Sequence, residues 1–277
     1  MSDAPAAPAL PAWSIDREAA AARPLRSAWP LADAREWAWG GATGAGVRVC
    51  IVDSGVDASH PRVGPIQSAH AVAERDGALT VVPDTAGDLY GHGTACAGVV
   101  RGLAPACEIH SVRVLDADLT GGGPVLLRGL RWAIEEGFDI VNLSLSTTKS
   151  RFVPELHELA DLAYFQGTLL VASAHNMPVE SFPWRFAAVA SVGSHAGADP
   201  WEYYVNPHPP AEFAAPGVDV ELAWHGGATI RASGNSFAAP HIAGLAALVR
   251  SKHPSMTPLE LKAALRAAAN NVVVEAA

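Results

Sequence analysis

Three short segments carry side chains that could do acid–base and nucleophilic chemistry. Val52-Asp53-Ser54-Gly55-Val56-Asp57 puts an acid at the end of an apolar, β-type run. Reacting groups of open α/β sheets gather at the carboxyl ends of strands, although an Asp in that place is also a common turn residue. Gly91-His92-Gly93-Thr94-Ala95-Cys96-Ala97-Gly98 surrounds a histidine with residues small enough for a helix to lie close on a sheet. Alone, such a histidine is more often a core or capping residue. Gly234-Asn235-Ser236-Phe237-Ala238-Ala239-Pro240-His241 opens an Ala/Leu/Val helix through about 251. Ser236 then stands at a helix mouth, where free N–H groups and the positive dipole end favour developing negative charge. Its plain alternative is an N-cap. Pro240 is tolerated only in a first turn, which is what places Ser236 at the mouth. The chain order Asp53, His92, Ser236 is one of the known orders of a nucleophilic triad. In it an imidazole that titrates near neutrality takes the proton of a hydroxyl too weak to react unaided.

The elements that must hold these groups are legible from periodicity. Residues 47–52, 109–115, 138–145, 168–174 and 186–193 are short, nearly continuous apolar runs, as strands of a parallel sheet buried on both faces would be. Between them, 125–136 carries Leu126, Leu127, Leu130, Trp132, Ala133 and Ile134 near helical period. Residues 154–166 begin with a first-turn proline. Residues 258–269 begin with Thr257-Pro258-Leu259-Glu260, a capping box. The alternation predicts an α/β sandwich with helices on both faces, right-handed crossovers and one domain over 28–271. Residues 1–27 are Ala/Pro-rich and predict a flexible arm. Residues 272–277 are left as a C-terminal tail.

Composition narrows the partners. The chain has 277 residues, 49% of them hydrophobic and 17% charged, which is globular rather than disordered. Its net charge of −9 and lack of a Lys/Arg run argue against nucleic acid or an anionic membrane as main partner. No stretch approaches the ~18 apolar residues of a membrane span. Cys50, Cys96 and Cys107 cannot all pair and show no zinc spacing, so neither a disulfide scaffold nor a zinc site is expected. The N-terminus has no basic and apolar leader pattern, which gives a cytoplasmic location as the expectation. Gly121-Gly122-Gly123 lacks the GK[ST] that a phosphate loop requires.

DSGVD, GHGTACAG and GNSFAAPHIAG closely resemble the three signatures of the subtilases. The resemblance continues through GLAPACEIHSVRVLD, DIVNLSLS, TLLVASAHN, FPWRFAAVASVG and FAAPGVDV, and so covers roughly 28–270. It implies a three-layer αβα sandwich with a mainly parallel central sheet. It implies a serine endopeptidase working through an acyl-enzyme, with a peptide or protein substrate and no cofactor. Ser236 would be the nucleophile, His92 the general base and acid, and Asp53 the group that orients His92. Asn176 would supply an oxyanion donor from its side chain, beside the Ser236 N–H. Ser144, Leu145 and Ser146 would pair with extended substrate as an added strand, with Gly121, Gly122 and Gly123 lining the other side. Two alternatives stay open: a specialised peptide-maturation protease or transpeptidase, and an inactive peptide-binding relative.

The sequence also departs from the family. Compared with many subtilases, a loop that holds calcium is deleted after His92, so no calcium is expected there. Asp116-Ala117-Asp118 lacks the ligand series of a calcium loop. Only five residues separate Asn176 from Phe182, which shortens the wall of the S1 pocket. His175 and Ser146 stand where better-known members have glycine, and small or unbranched P1 residues are expected over aromatic ones. Phe182-Pro183 matches a position that is cis in relatives. Cys96 matches the cysteine behind the catalytic histidine of proteinase K-like members, and inhibition by mercurials is expected. The family's pro-domain has no counterpart in this sequence, so a separate segment, or the N-terminal one, is a candidate inhibitory partner.

Overall fold

In the computed structural model, residues 10–22, 25–27, 33–208 and 210–274 are described. The chain runs α1 (Arg17–Ala21), β1 (Leu25–Ser27), α2 (Ala34–Trp39), β2 (Arg48–Asp53), β3 (Ser68–Arg75), β4 (Ala78–Pro83), α3 (His92–Leu103), β5 (Glu108–Arg113), α4 (Gly123–Glu135) and β6 (Ile140–Leu143). It continues through α5 (Val153–Gln166), β7 (Leu169–Ser173), β8 (Ala190–His195), β9 (Tyr204–Val205), β10 (Phe213–Pro216), β11 (Val220–Trp224), β12 (Ala228–Ala232), α6 (Asn235–Lys252), α7 (Pro258–Ala267) and β13 (Val272–Val274).

Side chains of a strand alternate between faces, and here both faces are buried. Val49 and Ile51 of β2 pack with α2, α3, α6 and α7, whereas Cys50 and Val52 pack with α4 and α5. The same alternation divides Leu169 and Val171 from Leu170 and Ala172 in β7. This is the three-layer αβα sandwich expected from the sequence. The sheet has nine strands in the order β4-β3-β5-β2-β6-β7-β8-β10-β9. It is parallel from β3 to β10, with antiparallel partners β4 and β9 at its edges. β2 lies between β5 and β6, so the chain leaves it toward one side of the sheet and later continues on the other. In doubly wound sheets, sites form outside the carboxyl ends of strands at such a switch point.

The five apolar runs become β2, β5, β6, β7 and β8, and the three helical patterns become α4, α5 and α7. The capping box of α7 is formed, with Thr257 and Glu260 each bonding the other's backbone N–H. The run over 186–193 is displaced: Phe186 and Val189 close turns, and the strand starts at Ala190. The hairpin β3–β4 carries no clean alternation, because its residues are mostly half-buried.

The chain ends also differ from expectation. The arm read as flexible is laid on the body over Leu10–Ala22, through backbone bonds such as Ile15 N to Ser194 O at 3.0 Å. Backbone pairing reaches the tail as well, since β1 runs parallel to β13 with Leu25 opposite Val272. Residues 1–9, 23–24 and 275–277 of the arm and tail lie outside the described residues.

Candidate active site

Asp53 ends β2 on the same face as Val49 and Ile51, which aims it at α3. It is fully buried, and both of its carboxylate oxygens lie 2.9 Å from His92 Nδ1. A carboxylate only accepts, so Nδ1 carries the proton and Nε2 is the basic nitrogen. Burial of the ring works against its charged form, but the Asp53 charge and hydrogen bond outweigh this, and Asp88 adds to them. The net effect raises the His92 pKa above the ordinary histidine value.

His92 is the first residue of α3, and the small residues around it allow a close approach. A methyl group on Gly93 would meet the carbonyl oxygen of Gly55 at 2.0 Å. Gly91 has φ +119°, and a methyl group there would strike the Trp224 ring. A side chain at Gly93 would need the backbone of α3 or of Gly55 to move, and one at Gly91 would need the Trp224 ring to move.

Ser236 is the second residue of α6. Pro240 lies just beyond the first turn, not within it, because the helix begins at Asn235. Proline has no N–H for the carbonyl four residues earlier, which is that of Ser236. That carbonyl is instead satisfied from the segment that follows β6: Ser144 Oγ donates to it at 2.7 Å, and Asn142 Nδ2 in β6 donates to Ser144 Oγ at 3.0 Å. The buried Cys96 thiol lies 3.3 Å from Ser144 Oγ and 3.7 Å from the same carbonyl. Burial, with Asp53 nearby, raises the thiol's pKa well above its usual value, so it is held as a neutral S–H.

Asn176 follows β7 on an exposed loop. Its Oδ1 accepts from the N–H of Asn235 at 2.8 Å, which leaves the amide Nδ2 free to donate elsewhere. A methyl group built on Gly234 would sit 3.2 Å from Ser236 Oγ and 3.4 Å from Asn176 Nδ2. The hydroxyl and the amide therefore flank one point.

His92, Ser144, Leu145, Ser146, His175, Asn176 and Ser236 line one cleft, with Gly121, Gly122 and Gly123 opposite, enclosing about 320 Å³. Its walls come from the segments that follow β5, β6 and β7. His175 is not a free side chain, because its Nδ1 accepts from the Met177 N–H at 3.0 Å. Phe182-Pro183 is cis, and Phe182 exchanges backbone bonds with Thr147 at 2.9 and 3.0 Å.

A sequence profile of the subtilase family matches residues 44–277. A thermostable alkaline protease of Halalkalibacterium halodurans is 31% identical over 80% of this chain and 62% of its own length. A subtilisin of Bacillus pumilus is 30% identical over 83% of this chain and 86% of its own. The chain belongs to the subtilase family. Among solved structures, a cold-adapted subtilisin-like serine proteinase aligns with TM-score 0.64 and 25% identity, over 81% of this chain and 82% of its own. The chain thus spans less than two thirds of the alkaline protease and most of the other two.

Within this subtilase, α3 runs unbroken from His92 to Leu103 and a short turn leads into β5. Asp116 Oδ1 accepts from the N–H groups of Asp118 and Thr120, and Oδ2 from the Thr120 hydroxyl, so the carboxylate closes a turn. Among the described residues, one group of ligand-type side chains converges within 4.8 Å, namely Asp53, His92 and Cys96. Its imidazole nitrogen is already bonded to its carboxylate and its thiol is protonated, which is not the donor set of a metal site.

Two residues of the subtilase site escape sequence reading. Asp88 accepts from Ser54 Oγ at 2.8 Å, from the Gly91 N–H at 2.7 Å and from the Thr94 N–H at 2.8 Å. It ties the Asp53 turn to the start of α3, a helix whose own N-cap is a glycine without a side-chain acceptor. An acid just before a glycine-led helix is the signal that could have found it. Asn235 is buried and makes four side-chain bonds, to Ser194 N and Oγ and to the carbonyls of Ala12 and His175. Its partners are distant in sequence, so nothing local betrays it.

Proposed function

We propose that this chain is a serine endopeptidase that hydrolyses peptide bonds through an acyl-enzyme. The observation that carries the reading is the buried Asp53–His92 pair opening into the same cleft as Ser236 and Asn176. An extended peptide enters between the 144–146 and 121–123 segments and adds to them as a strand, so main-chain bonds bind it whatever its sequence. Ser236 Oγ attacks the scissile carbonyl carbon as His92 Nε2 takes its proton. Asp53 holds the imidazole in the required tautomer and favours the imidazolium that forms. The carbonyl oxygen becomes an oxyanion held by Asn176 Nδ2 and the Ser236 N–H at the α6 mouth. His92 then protonates the leaving amine. A water activated by the same imidazole cleaves the ester, releasing a carboxylate and restoring the hydroxyl.

Two measurements on the purified chain test this. A fluorophosphonate should label Ser236 covalently, and Ser236→Ala should abolish the label. Mass spectrometry of a digested peptide library should show products ending in free carboxylates. Peptide bonds newly formed between fragments would make the chain a transpeptidase, and no label with no turnover would make it a binding module.

A further inference from the structure

The arm that precedes the domain touches the back of the oxyanion site. The Ala12 N–H donates to the Asn176 carbonyl oxygen at 2.8 Å, and the Ala12 carbonyl accepts from Asn235 Nδ2 at 2.8 Å. Asn235 in turn holds Asn176 Oδ1 through its own N–H at 2.8 Å. Three residues thus form a closed ring of bonds in which Asn176 is gripped by main chain and side chain. Further along, Ser14 Oγ meets Ser194 Oγ at 2.6 Å, and the Trp13 ring lies 5.8 Å from Trp184. Arg17 Nε lies 2.8 Å from both carboxylate oxygens of Glu202. The fit is close: a methyl group on Gly193 of β8 would stand 2.3 Å from the Trp13 carbonyl oxygen.

We propose that Ala12–Arg17 is a strap that positions Asn176 for oxyanion binding, with Ala12 and Asn235 as positioning residues. An oxyanion donor works only if it is aimed before charge develops. Asn176 sits on an exposed loop, and the Ala12 N–H reaches its carbonyl oxygen from outside that loop. Without Ala12, the Asn176 carbonyl loses its partner and the Asn235 amide keeps only His175 on its donor side. Both ends of the Asn176 grip then loosen, and a displacement of about 1 Å at such a group can cost 10²-fold in rate. The inference rests on the reading of Asn176 as an oxyanion donor.

The test uses Ala12→Pro, which deletes the one N–H, and Gly193→Ala, which expels the Trp13 carbonyl. Each is assayed in the full chain for kcat, KM and melting temperature on one peptide substrate. We expect kcat to fall by roughly 10- to 100-fold with KM within about twofold. In an Asn176→Ala background, Ala12→Pro should add little, because the group it positions is gone. Unchanged kcat in both point variants, or an equal loss in the Asn176→Ala background, overturns the strap. A wild-type chain that neither turns over nor takes the fluorophosphonate overturns the reading of the site, and the inference with it.

Discussion

Ser144 Oγ donates to the carbonyl oxygen of Ser236 at 2.7 Å, a bond left open by Pro240, which has no N–H to offer that carbonyl. The Ser236 carbonyl is thereby anchored to the segment that follows β6 rather than to its own helix. Ser144→Ala should leave a half-buried acceptor with only the weak Cys96 thiol, at about 1–3 kcal/mol. The melting temperature should drop by roughly 2–12 °C at this chain length, with kcat reduced. Pro240→Ala supplies an N–H to the same carbonyl, so Ser144→Ala should cost less in that background. Equal costs in both backgrounds, measured as a double-mutant cycle, would dissociate the two residues.

The acid limb of activity should report His92. Its pKa is raised by Asp53, so the inactive imidazolium persists to higher pH than in an ordinary histidine. The kcat/KM profile should therefore rise through a midpoint above about 6.5. Asp53→Asn removes the charge that favours the proton, so the midpoint should move to lower pH while kcat falls by about 10⁴, a magnitude known from relatives and analogues of this triad. A midpoint that stays put would assign the limb to another group.

Chelation should be without effect. The unbroken α3 and the turn-closing Asp116 leave no free carboxylate set at the two places where the sequence raised calcium. A calcium ion held at 100 times its Kd would contribute about 2.7 kcal/mol, so its removal would lower the melting temperature by roughly 5–11 °C. With EDTA we expect less than about 1 °C by calorimetry, within the error of such a relation. A larger fall would locate a calcium site elsewhere in the chain.

P1 preference should be set by His175. Its ring is tied to the Met177 N–H and so forms a fixed part of the cleft wall. A clash with a bulky side chain costs about 1–3 kcal/mol, or roughly 5- to 150-fold in kcat/KM if it acts in the transition state. Small or unbranched P1 residues should be cleaved faster than Phe or Tyr, and His175→Gly should raise activity on Phe at P1. A library profile dominated by aromatic P1 residues in the wild type would show that the ring leaves the pocket clear.

By itself the sequence determined the layers and the main strands and helices, through short-range patterns: apolar runs of strand length, helical period, and glycine and alanine where backbones must approach. It offered Asp53, His92 and Ser236 as candidates by residue type and chain order, and Asn176 only through the resemblance to the subtilases. Only the tertiary structure decided what grips the site. Asp88 sits between a strand turn and a helix start, Ser144 answers a carbonyl freed by a proline in another element, and Ala12 reaches Asn176 from an arm that composition alone describes as loose. The bonds from Ser54 to Asp88, from Ser144 to Ser236 and from Ala12 to Asn176 each join groups far apart in the chain. Such a bond leaves no period in the sequence, because its geometry exists only after the sheet has brought both partners to one edge.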